Sequence, residues 1–100
     1  MVKVTVLYGP PADAAAFEDH YANKHLPLAA KMPNVQRFEA SRVVATPDGS
    51  EAPYYRIAEL WFNSTDELQA AMGSDEGRAT VEDIGTFATG GATVVISELD

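Results

Sequence analysis

The segment Tyr54-Tyr55-Arg56-Ile57-Ala58-Glu59-Leu60-Trp61-Phe62 determines the architecture, because it reads as a β-strand that carries large apolar side chains on both faces. Ala58, Leu60 and Phe62 share one face of this strand, and Tyr55, Ile57 and Trp61 share the other. Each large apolar side chain contributes about 1.5–3 kcal/mol when it is buried, so neither face should remain in water. The segment therefore predicts a sheet with a covering layer on each side.

The elements around this strand alternate between strands and helices. Apolar residues at every second position predict an opening and a closing strand, and a Pro47-Asp48-Gly49-Ser50 turn predicts a hairpin. Asp13, Ser64 and Ser74 are suited to cap helices. The predicted strands are residues 2–8, 35–46, 54–62 and 92–98, and the predicted helices are residues 13–23, 27–31, 64–73 and 74–88. This order predicts an α+β, ferredoxin-like βαββαβ fold with a four-stranded antiparallel sheet and helices on one face.

Helices on one face leave the other face of such a sheet without a cover. A second copy of the chain is the simplest cover, and packing two sheets face to face predicts a homodimer, a dimeric α/β barrel with a cavity between the sheets. A different partner or a loosely covered sheet is the alternative. With 100 residues, no linker and no repeat, the chain is predicted to be a single domain over residues 1–100.

Composition and charge exclude several classes of partner. The net charge of -8 repels phosphate backbones and the Lys and Arg residues are scattered, so we expect no nucleic-acid partner. The chain opens without a charged-then-apolar leader and has no apolar run of membrane-spanning length, so we expect no membrane partner and a cytoplasmic location. Without cysteine, thiolate catalysis, disulfides and thiolate metal sites are excluded.

His25 is the main candidate for chemistry. Phe17, Tyr21 and His25 recur at i, i+4 and i+8, which places them on one side of a continuing helix. Pro27 disfavours helical geometry at Leu26, so the sequence predicts that the helix ends at His25. An imidazole at such a position can accept or donate a proton, or hold a polar ligand, without a cofactor. A capping or packing role is the alternative.

His20 is not expected to join His25 at a metal site. The two histidines are five residues apart and do not share a helical face, as two metal ligands on one helix should. We therefore expect a solvated role for His20 and no metal.

Glu59 and a set of aromatic residues are the other site candidates. Glu59 shares its face with Ile57 and Trp61, the face assigned to the cavity, and a carboxylate with a raised pKa among apolar neighbours suits a general acid or base. Its alternative role is a salt bridge to Arg37, Arg42 or an arginine of a second copy. The side chains predicted to wall a pocket for an aromatic or hydrophobic ligand, with core packing as the alternative, are Tyr8, Tyr21, Phe38, Tyr55 and Trp61.

Several segments together resemble the EthD family, named after ethyl tert-butyl ether degradation. They are Met1–Gly9, Phe17...Tyr21-x3-His25-Leu26-Pro27-Leu28, Pro33-x3-Arg37, Tyr54-Tyr55-x2-Ala58-Glu59-Leu60-x-Phe62 and Phe87-x2-Gly90-Gly91. The resemblance covers essentially the whole chain and implies the dimeric α/β-barrel superfamily, whose members include cofactor-free monooxygenases, polyketide cyclases, muconolactone isomerases and haem-binding enzymes. It also implies that His25, the histidine of the Tyr-x3-His-x-Pro segment, is a site residue.

Two functions remain open, and they differ in whether His25 reacts. The first is a cofactor-free enzyme that acts on a hydrophobic or aromatic carbonyl compound by isomerisation, cyclisation, dehydration or oxygenation. His25 is then the acid or base, and Glu59 or a tyrosine hydroxyl orients the substrate. The second is a non-catalytic ligand-binding or accessory protein of a degradative or biosynthetic oxidation pathway. Haem binding through His25 is a further alternative.

Many members of the EthD family are labelled reductases. The glycines of this chain do not support a nicotinamide-binding site of its own. Gly9 is followed by Pro10 and Pro11, and Gly90-Gly91 precedes a strand. A dinucleotide-binding fingerprint instead opens a helix after a strand.

Overall fold

The computed structural model describes all 100 residues as a four-stranded antiparallel sheet with helices packed on one face. Its strands are β1 (Val2–Tyr8), β2 (Arg37–Arg42), β3 (Arg56–Phe62) and β4 (Ala92–Glu98). Its helices are α1 (Ala14–His20), a π-helical turn (Tyr21–His25), α2 (Leu26–Ala29), α3 (Thr65–Gly73) and α4 (Asp75–Phe87). The predicted α+β, ferredoxin-like arrangement is confirmed. None of the helices combines the length and the apolar character that crossing a membrane requires.

The strands lie in the order β2, β3, β1, β4, which places β1 and β3 at the centre of the sheet. Val4 pairs with Leu60 on one side and with Ile96 on the other, and Leu60 pairs with Phe38. Because directly opposed residues of antiparallel strands share a face, these four side chains form a row on the helix side of the sheet.

The core lies between the helices and the two central strands. Its strand residues are Val2, Val4, Val6 and Tyr8 of β1 and Ala58, Leu60 and Phe62 of β3. The helix residues Phe17 and Leu68 are buried as their spacing suggests, and Met72 and Ile84 pack partly buried against them. Helical spacing alone would also place Val81 in this core, but Val81 is 47% exposed and the buried residue at this point of α4 is its neighbour Thr80.

The face of the sheet away from the helices, called here the outer face, is more polar than predicted. Lys3 and Arg37 are the register neighbours of Trp61, and their cationic groups lie 5.4 Å and 5.2 Å from its ring. Lys3 also donates to Glu59 at 2.9 Å. Long cationic side chains thus cover part of the indole, although no layer of this chain packs over the face.

Tyr55 does not lie on the outer face, which corrects its predicted position. β3 begins only at Arg56, so the strand alternation does not extend to Tyr55. Its ring instead meets Phe17 edge-on at 5.2 Å and packs against the core on the helix side.

The first helix continues past His25, so the predicted helix end at this residue is wrong. Leu26 has helical dihedral angles, φ -59° and ψ -41°, and its N–H bonds to the carbonyl of Tyr21 five residues back. In a regular α-helix a proline lacks the N–H and crowds the carbonyl four residues earlier. The wider π turn ends at His25, and Pro27 lies in the first turn of α2, where a missing N–H is tolerated.

Gly77 and Gly85 form a matched pair in α4. A Cβ at Gly77 would lie 2.1 Å from the carbonyl oxygen of Ala71, whereas a Cβ at Gly85 would meet nothing within 4 Å. We predict that Gly77→Ala lowers the free energy of unfolding by about 1–3 kcal/mol, because α3 and α4 must separate. We predict that Gly85→Ala raises it by about 0.5–1 kcal/mol, because alanine has the higher helix propensity. Urea unfolding measures both, and equal effects would contradict the close contact.

Candidate functional site

The side chains of Phe17, Tyr21 and His25 form one column on the inner side of the first helix, as predicted. Ring centroids are 5.7 Å apart for Phe17 and Tyr21 and 5.6 Å apart for Tyr21 and His25, and both pairs stack. Four residues of a regular α-helix overshoot a full turn by about 40°. The π turn reduces this drift between Tyr21 and His25, so the imidazole stays over the sheet, where His25 is 5% exposed.

Both ring nitrogens of His25 meet protein groups. Nδ1 lies 2.9 Å from Oδ2 of Asp83, and Nε2 lies 3.4 Å from the hydroxyl of Tyr8. A carboxylate only accepts hydrogen bonds, so Nδ1 donates to Asp83. The partners therefore assign the neutral tautomer in which Nε2 carries the lone pair and accepts from Tyr8.

The surroundings set the protonation of these three groups. Burial lowers the pKa of His25 below its usual 6.5, although the hydrogen bond from its Nδ1 to Asp83 acts in the opposite direction. Burial pushes the pKa of Asp83 up, but the hydrogen bonds from His20, His25 and Thr86 outweigh it and hold that pKa below its usual range. Burial raises the pKa of Tyr8 far above 10. At neutral pH the site therefore holds an imidazole, a carboxylate and a phenol.

His20 is part of this cluster, so the expectation of a solvated role is wrong. Its Nε2 lies 2.8 Å and 3.0 Å from the two carboxylate oxygens of Asp83, and its side chain is 24% exposed. The two histidines approach Asp83 from the same helical run, one at each end of the π turn. Although they do not share a helical face, they share a carboxylate.

Asp83 is the residue that sequence reasoning missed. It lies in α4 three residues after Thr80 and four before Phe87, and both of these are buried. This spacing places Asp83 on the inward side of the helix, where an unpaired carboxylate is costly. The available signal in the sequence was an acidic residue on the inward stripe of α4. The sequence did not show that its partners are histidines of the first helix.

A cavity of about 200 Å³ opens between the sheet and the helices beside His25. Thirteen of its fifteen lining residues are hydrophobic or aromatic, and none is Lys, Arg, Asp or Glu. Thr80 also lines it, but its hydroxyl is already bonded to the carbonyl of Glu76 at 2.8 Å. A more open cavity of about 430 Å³ adjoins it and shares Ala29, Met32 and Phe38 with it. The inner cavity suits an uncharged, largely apolar ligand.

Tyr21 lines the same cavity and carries a hydroxyl without a partner. The hydroxyl is buried and makes no hydrogen bond within the protein. Arg56, which is paired with Glu18 through bonds of 3.1 Å and 2.6 Å, places its guanidinium 4.7 Å from the Tyr21 ring centroid. Burial raises the pKa of Tyr21 while Arg56 opposes the rise, so the hydroxyl stays protonated. A buried hydroxyl left unpaired costs about 1–3 kcal/mol.

The structure divides the predicted site residues between the two faces of the sheet. Tyr8, Tyr21, Phe38 and His25 line the inner cavity together, and Tyr55 packs nearby in the core. Glu59 and Trp61 lie on the outer face, because odd-numbered residues of β3 point away from the helices.

The prediction that the Glu59 face forms one cavity with His25 is therefore wrong within one chain. The salt bridge that was the alternative role of Glu59 exists, but its partner is Lys3 at 2.9 Å. The predicted arginine partners pair elsewhere, Arg37 with Glu39 and Arg42 with Glu18.

Haem ligation by His25 would have to use Nε2, because Nδ1 donates to Asp83, and Nε2 would first have to leave the Tyr8 hydroxyl 3.4 Å away. Groups of three or more His, Cys, Asp and Glu side chains with the geometry to hold a metal ion are absent from the structure.

Comparison with known proteins shows a family likeness over most of the chain. The family model of the EthD domain matches residues 9–91. A protein of Rhodococcus erythropolis, described as an uncharacterized 11.0 kDa protein in the thcB-thcC intergenic region, is 40% identical over 98 residues, covering 98% of this chain and 94% of its own. The crystal structure of an EthD family protein from Bacillus halodurans is 38% identical, with a TM-score of 0.94 over 100% of this chain and 99% of that one.

More distant structures share the fold alone. A dimeric ferredoxin-like protein of unknown function from Thermobifida fusca is 13% identical, with a TM-score of 0.73 over 98% of this chain and 90% of its own. SnoaB, a cofactor-independent oxygenase from Streptomyces nogalater, is 13% identical, with a TM-score of 0.71 over 98% of this chain and 91% of its own.

The lowered pKa of His25 predicts how stability depends on pH. A group whose pKa is lower in the folded than in the unfolded chain stabilises the fold above its unfolded pKa, and this contribution is lost as the pH falls. Below about pH 6.5 the free energy of unfolding should fall by at most about 1.4 kcal/mol per pH unit through this residue. Urea unfolding between pH 7.5 and about pH 5 measures the loss in wild type and in His25→Gln. Parallel pH profiles of the two proteins would contradict the buried neutral imidazole.

Proposed function

We propose that this chain, which belongs to the EthD family, binds a hydrophobic or aromatic carbonyl compound in its inner cavity and acts on it by cofactor-free acid/base chemistry. The observation that carries the proposal is the buried His25, which lines the cavity, is held at Nδ1 by Asp83, and has only the long 3.4 Å contact with the Tyr8 hydroxyl at Nε2. A base oriented by a carboxylate, beside an apolar cavity with hydroxyl groups, is the minimal set for abstracting a proton next to a carbonyl.

His25 is suited to be the base because its lowered pKa keeps Nε2 unprotonated at neutral pH. Nε2 takes a proton from the carbon beside the carbonyl, and the C–H electron pair becomes the enolate. The imidazolium that forms is then paired with the Asp83 carboxylate, 2.9 Å from Nδ1. Return of the proton to a different carbon of the ligand completes an isomerisation. If the enolate carbon instead forms a bond to a second carbonyl carbon of the ligand, the proton passes to the oxygen of that carbonyl and a cyclisation results. If the enolate expels a β-hydroxyl group, the proton leaves with that group as water and a dehydration results.

The tyrosine hydroxyls are suited to stabilise the enolate oxygen. Tyr8 contacts Nε2 of His25 over a long 3.4 Å, so its proton is available to a ligand oxygen that enters the cavity. Tyr21 has a buried hydroxyl with no protein partner. Both pKa values are raised by burial, and both groups therefore donate hydrogen bonds without becoming phenolates. An engineered cavity of about 150 Å³ holds benzene, so the inner cavity suits a one-ring ligand.

Oxygenation can begin with the same proton removal, and it then requires dioxygen as a second substrate, which oxidises the carbanion and supplies the oxygen atom. The cofactor-independent oxygenase SnoaB shares this fold, and the likeness supports a cofactor-free reaction without identifying the ligand.

A non-catalytic accessory role is the second candidate, and one observation favours it. Nε2 of His25 is in contact with Tyr8 in the ligand-free protein, so a ligand must displace a hydroxyl before it reaches the base. If that contact persists in the complex, His25 and Tyr8 together anchor a ligand oxygen. The chain then binds a compound for a degradative or biosynthetic oxidation pathway without converting it.

We also infer that the working unit is a homodimer joined through the outer face. Trp61 and Ile57 are only partly buried there, and β4 is exposed along its length, with Val95 46% exposed. The Thermobifida fusca protein of the same fold is dimeric, which supports this inference. Glu59 and its partner Lys3 lie in the middle of this face, so in the proposed dimer they contribute to assembly.

The acid/base proposal predicts exchange of carbon-bound hydrogen in a simple ketone. Phenylacetone, a one-ring aromatic ketone with acidic α-hydrogens, is incubated with the protein in D2O, and deuterium incorporation is followed by proton NMR. We expect wild type to accelerate exchange and both His25→Ala and His25→Gln to lose about 100-fold or more of the acceleration. Glu39→Gln, on the exposed outer face, is the control that keeps the wild-type rate.

Binding of the same ketone, followed by line broadening of its proton signals, separates the two candidate functions. Exchange that depends on His25 supports catalysis. Binding that weakens in His25→Ala, with no accelerated exchange in wild type, would overturn the enzymatic proposal and support the accessory role.

The dimer predicts that charge on the outer face separates the chains. Trp61→Glu places a carboxylate at the centre of the proposed interface, so sedimentation at micromolar concentration should show a dimer for wild type and a monomer for the variant. Val44→Glu, in a loop where Val44 is 88% exposed, is the matched control and should remain dimeric. A wild-type protein that sediments as a stable monomer would contradict the inferred assembly.

A further inference from the structure

We propose that His20 is a positioning residue that acts through Asp83 to fix the tautomer of His25 in which Nε2 carries the lone pair. The importance of this tautomer rests on the proposed role of His25 as a base. The tautomer itself is measured without any ligand, so the two proposals fail separately.

The carboxylate of Asp83 lies between the two imidazoles and accepts hydrogen bonds from both. Nε2 of His20 lies 2.8 Å from Oδ1 and 3.0 Å from Oδ2, and Nδ1 of His25 lies 2.9 Å from Oδ2. Since a carboxylate has no proton at neutral pH, Nε2 of His20 must donate in the same way as Nδ1 of His25. The two donors approach from α1 and from the end of the π turn, and together they fix the plane of the carboxylate.

Tyr8 cannot fix the tautomer on its own. A tyrosine hydroxyl both donates and accepts, so its contact with Nε2 of His25 is satisfied whether Nε2 carries the lone pair or the proton. Only the carboxylate on the other side of the ring discriminates, because it requires a proton on Nδ1. The tautomer of His25 therefore depends on how firmly Asp83 faces Nδ1.

Thr86 is the other donor near Asp83, and it cannot replace His20. Its single hydroxyl lies 3.1 Å from Oδ1 but only 2.7 Å from the main-chain carbonyl of Asp83, the better placed acceptor. Without His20, Oδ1 loses its short bond at a side chain that is 13% exposed. The carboxylate is then free to rotate toward water, and its hold on Nδ1 of His25 weakens.

His20 is itself fixed, as a positioning role requires. Its ring stacks on Phe87 with centroids 5.0 Å apart, and its only hydrogen bonds run through Nε2. It is the last residue of α1, so the π turn sets the distance between His20 and His25. Residues five apart do not share a face of a regular α-helix, but here the π turn between His20 and His25 brings both rings to the same carboxylate.

Substitutions at position 20 distinguish the effect of the hydrogen bond to Asp83 from the effect of the ring that stacks on Phe87. His20→Gln carries its amide nitrogen where Nε2 lies and keeps the donor, whereas His20→Asn is one carbon shorter and does not reach Asp83. His20→Phe keeps the ring and its stacking on Phe87 but has no donor. Thr86→Val is nearly isosteric and removes the weaker donor to Oδ1, so it tests whether the loss of that bond alone shifts the tautomer.

The readout is the nitrogen-15 NMR spectrum of the imidazoles at about pH 8, where His25 is neutral, because protonated and lone-pair nitrogens resonate far apart. Wild type, His20→Gln and Thr86→Val should show a proton on Nδ1 of His25. In His20→Phe and His20→Asn the ratio of this tautomer to the other should fall about tenfold, because a hydrogen bond to a charged group is lost. The ketone exchange rate should fall by a similar factor.

An unchanged His25 tautomer in folded His20→Phe and His20→Asn would overturn the inference. So would a shift of equal size in His20→Gln, because the hydrogen bond would then not be its cause. A tautomer shift in the predicted variants, in a protein whose wild type shows no ketone exchange, supports the positioning role of His20 while the enzymatic proposal fails.

Discussion

The hydrogen bond between Asp83 and His25 is the interaction on which the rest of the site depends. Burial alone would keep the imidazole neutral and make any added proton costly, since a charge without a partner in the interior is strongly disfavoured. The carboxylate 2.9 Å away gives that proton a counter-charge. The site therefore combines a neutral resting state with a tolerable charged state, which a base working near neutral pH requires.

The fold brings the two residues together from opposite ends of the chain. The π turn keeps His25 in line with Phe17 and Tyr21, and α4 carries Asp83 to the same place fifty-eight residues later. The sheet supplies Tyr8 from its central strand and separates this apolar cavity from the outer face, where Lys3, Glu59 and Trp61 lie. The proposed chemistry and the proposed assembly therefore lie on different faces of the sheet.

Strand periodicity, turns and caps were enough to predict the architecture, because each predicted element has a strong local signal. The helix column was also predictable, since spacing by four places Phe17, Tyr21 and His25 together. The errors arise where a long-range contact or a local irregularity of the backbone determines where an element ends or where a side chain lies. The π turn overrides the expected stop before Pro27, and the start of β3 at Arg56 moves Tyr55 to the helix side. The pairing of His20 with Asp83 joins two helices, and spacing within either helix does not reveal it.

The most direct test of the account is the pH titration of His25 in the wild-type protein, followed by NMR of the carbon between the two ring nitrogens. The account predicts that the pKa of His25 lies below 6.5 and that the neutral ring carries its proton on Nδ1. A pKa above 6.5, or a neutral ring protonated on Nε2, would contradict it, because His25 would then not present an unprotonated Nε2 to the cavity at neutral pH.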